Sequence, residues 1–197
     1  GEGFSGAPII ADDKLIVGQS MGDWQTRGFI AALDPATGDE LWRFYVVPEP
    51  GAEGSRTWRC DKAGNPDCWL TGGGGVWATG AYDPVHKLYI TGTGNPAPAY
   101  DPESRPGDNL YTNSVLALDI RTGKLAWHFQ YTPGDYMELD ETGVHMLVDR
   151  IVNGKKKKTI AHFGRNGFFY RFDQRSGEFL GAKQYVEKVT WTSGIDS

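Results

Sequence analysis

Two stretches of this chain are copies of one another: VLALDIRTGKLAW at residues 115–127 and IAALDPATGDELW at residues 30–42. Their alignment pairs Ala32, Asp34, Thr37, Gly38 and Trp42 with Ala117, Asp119, Thr122, Gly123 and Trp127. A worn third copy, at residues 169–181, keeps Asp173 and Gly177, has Ser176 for the threonine and Gly181 for the tryptophan. Repetition restricts the fold more than any other feature, because a repeated supersecondary unit means a solenoid or a propeller.

The unit reads as a β-hairpin. Alternating apolar residues flank an Asp-x-x-Thr-Gly turn, in which Asp and Thr side chains bond back to the backbone and Gly supplies a positive φ. Each copy follows another strand pair: APII with KLIVGQS, GAYDP with KLYITGT, and HMLVDRIV with KTIAHFG, turning at Asp12-Asp13, Pro84 to His86 and Asn153-Gly154. Four antiparallel strands per unit predict an all-β fold of propeller blades. The predicted blades cover residues 7–47, 77–131 and 144–186, with a further blade starting at 187–197, all in one partial domain spanning 1–197. Since closed propellers typically need about four to eight blades, the chain reads as an interior piece of a larger ring.

The formal charge of −5, from 20 basic and 25 acidic residues, leaves no electrostatic footprint for nucleic acid. The one basic run, residues 155–158, reads as a solvated hairpin tip. No apolar stretch approaches the ~20 residues of a membrane span. Cys60 and Cys68 have poor zinc spacing and read as a local disulfide, which favours an oxidising compartment, with free thiols as the alternative.

Three motifs mimic chemistry in the wrong context. Gly18-Gln19-Ser20-Met21-Gly22 fits a hydrolase nucleophile elbow, but a loop and a strand follow where the elbow needs a helix. Gly92-Thr93-Gly94-Asn95-Pro96-Ala97 resembles a dinucleotide fingerprint, but Pro96 and Pro98 forbid its helix. Gly72 to Gly75 lacks the Lys-Ser or Lys-Thr of a phosphate loop. His86, His128, His145 and His162 share no ligand spacing and read as packing or surface residues.

Station within the blade is more informative. Asp23 follows the second strand of the first blade and Asn95 the second strand of the next, while Arg165 follows that of the third. Residues 132–143, TPGDYMELDETG, carry Asp135, Glu138, Asp140 and Glu141, with Asp149 just beyond. Hard oxygens from Asp23, Asn95 and this acidic loop suit calcium or a larger trivalent cation. Trp77, after four glycines, is placed to stack on a planar ligand or to serve as a core residue.

At these residues the chain resembles the pyrroloquinoline quinone (PQQ) dependent alcohol dehydrogenases, eight-bladed β-propellers that include methanol, ethanol and polyvinyl alcohol dehydrogenases. The likeness rests on the A-x-D-x-x-T-G-x-x-x-W docking repeat, on GGGGVWATGAYDP, GTGNPAP, RPGDNLYTNSVLALD, TPGD, RNGFFYRFD and VTWTSGID. It implies PQQ stacked on Trp77, with Ser20, Met21 and Gly22 around the cofactor and Arg165 at the quinone oxygens. It further implies calcium or a lanthanide ion held by Asp23, Asn95, Glu138 and Asp140. Asp23 stands where the family usually has Glu, and Gly75 where many members have a cofactor-bonding Thr. Glu138 falls at the catalytic base, an unusual Glu there, with Asp135 and Asp140 as the other candidates. The implied function is oxidation of a small or polymeric alcohol by hydride transfer to metal-bound PQQ, in the periplasm, with electrons passed to a cytochrome c-type acceptor. The rival reading is a non-catalytic propeller scaffold that keeps the repeat.

Overall fold

The computed structural model describes residues 3–152 and 154–195. Gly1, Glu2, Asn153, Asp196 and Ser197, which carry part of the expected chain ends and third turn, lie outside the described residues. Twelve strands form three four-stranded antiparallel sheets, each a meander in chain order. The first contains β1 (Ile9–Ala11), β2 (Lys14–Gly18), β3 (Phe29–Leu33) and β4 (Glu40–Tyr45). The second contains β5 (Ala81–Asp83), β6 (Leu88–Gly92), β7 (Ser114–Asp119) and β8 (Leu125–Gln130). The third contains β9 (Met146–Val152), β10 (Lys155–Phe163), β11 (Phe168–Asp173) and β12 (Phe179–Gln184).

The repeat is physically the same in all three sheets. Asp34, Asp119 and Asp173 each accept the backbone N–H two residues on, at 2.7, 2.9 and 3.0 Å. Gly38, Gly123 and Gly177 each close the turn in the left-handed region, with φ of 80°, 69° and 72°. The register then shifts at one equivalent place, after Ala32, Ala117 and Arg171. The worn third copy therefore keeps the turn geometry despite losing its Thr and Trp.

What joins one sheet to the next is the tryptophan. A Cβ at Gly123 would stand 2.6 Å from Trp42, and one at Gly177 would stand 2.5 Å from Trp127. Each indole thus lies flat against the turn glycine of the following sheet, and Trp42 also donates its ring N–H to the Ile120 carbonyl at 2.9 Å. The core follows the same arrangement. One cluster joins Ile16, Ile30 and Ala32 of the first sheet to Leu116 and Leu118 of the second, and another joins Ile90, Val115 and Ala117 to Ile160, Tyr170 and Phe172 of the third.

The lysines at 155–158 open β10 directly after the Gly154 turn, with the first three exposed, so the run is the solvated end of the β9–β10 hairpin that the sequence predicts. Asp149, just beyond the acidic loop, lies exposed on β9 and ion-pairs with Lys156 and Lys158 at 2.8 and 3.1 Å. The segment between the first two sheets is held by the Cys60–Cys68 disulfide, as its spacing suggested. With Val47, Trp58 and Trp69 it makes a small satellite core of its own. Among the described residues no helix is long and apolar enough to cross a membrane.

Candidate active site

The four glycines are the thread on which the site is strung. Gly73 donates to Thr26 O and accepts from Gly28 N–H, at 2.9 and 2.8 Å, while Gly74 donates to Asn95 O at 2.9 Å. Gly75 accepts from Gly94 N–H at 2.7 Å, and Val76 donates to Gln19 O at 2.6 Å. The run thereby knits the loop after β2 to the loop after β6. Close approach is the reason for glycine: a Cβ at Gly22 would stand 2.6 Å from Gly75 N, and one at Gly28 would stand 2.1 Å from Gly74 O. Directly beyond the run, Trp77 keeps 42% of its surface exposed, so its ring is not spent in the core.

Ser20, Met21, Gly22 and Asp23 follow β2. Ser20 donates its hydroxyl to Gly3 O at 3.0 Å, and no histidine bonds to it, which removes the hydrolase elbow. Gly22–Trp24 forms one 3-10 turn with Asp23 exposed. Asn95 is buried, and its amide nitrogen donates to the Pro96 carbonyl at 3.1 Å, which fixes the orientation of the amide. No helix follows Asn95 until the 3-10 turn Pro102–Ser104, so the dinucleotide fingerprint is absent as well.

The acidic loop ahead of β9 separates its carboxylates into different roles. Asp135 is buried and accepts from Asn113 Nδ2, Met137 N–H and Leu139 N–H at 2.8, 2.8 and 2.7 Å, so it clamps the loop. Arg105, which the sequence did not single out, braces this clamp from below. It is 1% exposed and donates to the carbonyls of Pro98, Ala99 and Asp135 and to Asn109 Oδ1, all within 2.9 Å. Burial pulls its guanidinium down to about 10.

Glu138 sits at φ +61° and accepts a hydrogen bond from the Tyr100 hydroxyl at 2.5 Å. That bond to a carboxylate raises the Tyr100 phenol above its ordinary range. Asp140 is 6% exposed; its Oδ1 accepts from Asn95 N–H at 2.9 Å and its Oδ2 from Arg165 Nη1 at 3.0 Å. Burial raises the Asp140 carboxyl to about 6, and nearby Asp23 and Glu138 add to the rise, against Asn95 N–H and Arg165. Asp140, Asn95 and Arg165 are therefore in direct contact, whereas Asp23 and Glu138 reach Asp140 through space.

The neighbouring carboxylates leave excess negative charge, and the available donors are hard oxygens. This chemistry fits a calcium-like or lanthanide ion. Among the described residues, however, no three His, Cys, Asp or Glu side chains converge into a closed metal set. The donors belong to three separate loops, with Asp140 already engaged by Arg165.

Sequence reasoning also missed what lies behind Asp140. Glu141 is wholly buried and accepts from His162 Nε2 at 2.7 Å and from Arg165 N–H at 3.3 Å. His145 stacks on His162 with ring centroids 4.0 Å apart, and the Tyr131 hydroxyl faces His145 Nε2 at 2.8 Å. No sequence spacing signals this, since the four residues come from three strands or their edges. Only the sheet register brings them together.

Residues 2–184 match the family model described as "PQQ: Glucose/ethanol/alcohol dehydrogenase, beta-propeller domain". The chain is 39% identical over 205 residues to quinohemoprotein alcohol dehydrogenase ADH IIB of Pseudomonas putida, covering 98% of this chain and 29% of that protein. It is 38% identical over 212 residues to quinoprotein alcohol dehydrogenase PedH of Pseudomonas putida, covering 100% of this chain and 34% of that one. In three dimensions it resembles quinohemoprotein alcohol dehydrogenase from Comamonas testosteroni, with TM-score 0.89 and 36% identity over 99% of this chain and 30% of the other. A europium-containing methanol dehydrogenase is similar with TM-score 0.84 and 34% identity over 94% of this chain and 34% of the other. The chain thus spans about a third of the length of these relatives.

Proposed function

The chain belongs to the β-propeller family of PQQ-dependent glucose, ethanol and alcohol dehydrogenases, and on that premise we propose that it supplies one side of a quinoprotein active site that oxidises a small or polymeric alcohol. The observation that carries the reading is the contact of Asp140 with both Asn95 N–H and Arg165, beside Asp23 and Glu138. When bound, PQQ supplies the hydride-accepting quinone and the ion its electrophilic activation.

This chain's residues do the placing. Trp77 offers a ring face to the cofactor, and Ser20, Met21 and Gly22 line its edge. Asp23, Asn95, Glu138 and Asp140 would hold the ion, calcium or a lanthanide; the europium-containing relative supports the second choice. Among the carboxylates, we assign the alcohol proton to Asp140 rather than to Glu138. In support, Asp140 is buried and is oriented by two donors, the Asn95 N–H and the Arg165 guanidinium. Arg165 holds that carboxylate in direction and stabilises negative charge developing on the acceptor oxygen. Electrons leave to a cytochrome c-type acceptor, a reading supported by the quinohemoprotein relatives. The Cys60–Cys68 disulfide supports a periplasmic setting.

The test is alcohol-dependent dye reduction by the full-length protein carrying this chain, loaded with PQQ and either calcium or a light lanthanide. Activity with the lanthanide alone supports Glu138 and Asp140 together around the ion. Activity with calcium alone removes one of them from the ion. Silence with both ions across short and long alcohols favours the non-catalytic scaffold.

A further inference from the structure

We propose that Glu141 is a positioning residue, which locks the Asp140 loop to the Arg165 loop from behind and thereby sets the direction of the Asp140–Arg165 pair. The inference rests on the catalytic reading of that pair.

The adjacent residues Asp140 and Glu141 grip Arg165 twice. Asp140 Oδ2 takes its guanidinium at 3.0 Å, and Glu141 Oε2 takes its backbone N–H at 3.3 Å. Glu141 is anchored in turn: its own N–H donates to Thr93 O at 3.2 Å, and Oε2 also accepts from His162 Nε2 at 2.7 Å. Thr93 lies two residues before Asn95, so one residue ties together the loops bearing Asn95, Asp140 and Arg165. The anchor is rigid. His162 Nδ1 faces the Val144 carbonyl at 3.3 Å, and His145 covers the ring with an interplanar angle of 3°. The chain makes room for this approach at Gly92, where a Cβ would stand 1.8 Å from the Glu141 carbonyl oxygen.

Packing alone does not require such a group. Glu141 is 0% exposed and His162 and His145 are 1% and 2% exposed, so an apolar set of similar volume would fill the space without desolvating a carboxylate. What a carboxylate adds is direction, because its lone pairs accept from two donors on the strand and loop that carry Arg165. The Arg165 side chain itself is 55% exposed and meets Asp140 at its tip, so the position of its backbone governs how its guanidinium is aimed. A misplacement of about 1 Å at a reacting group can cost about 100-fold in rate.

The experiment is a double-mutant cycle in the full-length protein, with Glu141→Gln, Arg165→Ala and the pair, read by kcat, alcohol KM, europium affinity by luminescence and melting temperature. The expected result is a loss in kcat of about 10- to 100-fold for Glu141→Gln with little change in KM. The double variant should be no worse than Arg165→Ala alone, because Glu141 acts through Arg165. His162→Phe, which keeps a stacked ring but removes the donor, should reproduce the Glu141→Gln loss. Losses that multiply in the cycle, or a Glu141→Gln protein with wild-type kcat, overturn the proposal. Should Glu141→Gln fail to fold, the His162→Phe and Arg165→Ala cycle decides by the same criterion. A wild-type protein silent with every ion and alcohol would sink the catalytic reading instead, and the same non-additivity would then be read in europium affinity.

Discussion

The carboxylate of Asp140 accepts the backbone N–H of Asn95 at 2.9 Å across 45 residues of sequence, joining the loop ahead of the third sheet to the loop inside the second. Its other oxygen faces Arg165, so the two oxygens have fixed and different partners. Asp140→Asn retains an acceptor for one partner and abolishes the base. It should lower kcat by about 10²- to 10⁴-fold, while Glu138→Gln acts mainly on ion affinity. Steady-state kinetics at saturating ion separate the two; a larger kcat loss for Glu138→Gln would return the base to Glu138.

Glycine at the repeat turn does two jobs where a tryptophan covers it. At Gly123 a side chain would meet both the left-handed backbone and Trp42, whereas at Gly38 nothing lies within 4 Å. Gly38→Ala should cost about 1–2 kcal/mol of strain, and Gly123→Ala about 2–4 kcal/mol once overpacking is added. Urea unfolding of the two variants measures the difference, and equal losses would mean that the indole contact contributes nothing.

Acidification should weaken the fold through His145. Its imidazole is held well below the ordinary value by burial first and then by the charge of neighbouring His162, with Tyr131 facing its other side. Unfolding frees it to bind a proton near pH 6.5, so the unfolded state holds more protons below that pH. Stability should therefore fall as pH drops from about 6.5, by up to about 1.4 kcal/mol per unit, before carboxylates such as Asp83 titrate. Asp83, also buried, is nonetheless lowered because the His86 side chain and two backbone N–H groups outweigh desolvation, so its contribution is lost only at more acid pH. Asp140, raised to about 6, and Glu141, raised by burial, take up protons in the folded state and oppose this trend, so the contribution of His145 is read as the difference between wild type and variant. Denaturant melts between pH 8 and 5 should be flatter in His145→Phe; an unchanged slope would assign the acid sensitivity elsewhere.

The Cys60–Cys68 bridge closes a short loop, for which chain entropy supplies about 2–3 kcal/mol. Because it serves the satellite core of Val47, Trp58 and Trp69, its loss should open that segment before the sheets unfold. Limited proteolysis with and without reductant should give cuts confined to residues 48–72. Cuts spread over the sheets would show that the bridge supports the whole domain.

Much of this was legible because it is local. Asp34, Asp119 and Asp173 identify their turns within five residues, and the apolar runs beside them mark strands, though β3 and β7 are buried on both faces rather than on the one that alternation predicts. Station within the blade likewise singles out Asp23, Asn95, Arg165 and the acidic loop from sequence alone. The length of β10 was less legible, because a turn signal at Gly154 does not say how far the next strand extends; pairing with β9 decided that. Asp135 and Asp140 could not be told apart in sequence, since both are carboxylates in one loop and differ only in which N–H groups surround them.

By itself, then, the sequence determined the all-β repeat, the place of each turn and the loops that carry polar groups, because strand period and turn chemistry act over a few residues. The tertiary structure decided which of those groups meet. Trp42 on Gly123 and Trp127 on Gly177 set the stacking of sheets. That stacking brings Asn95 to Asp140 and His162 to Glu141, contacts that no local rule encodes. Burial then gives Asp140 its chemistry, since removal from water raises its carboxyl while two donors hold it in one direction.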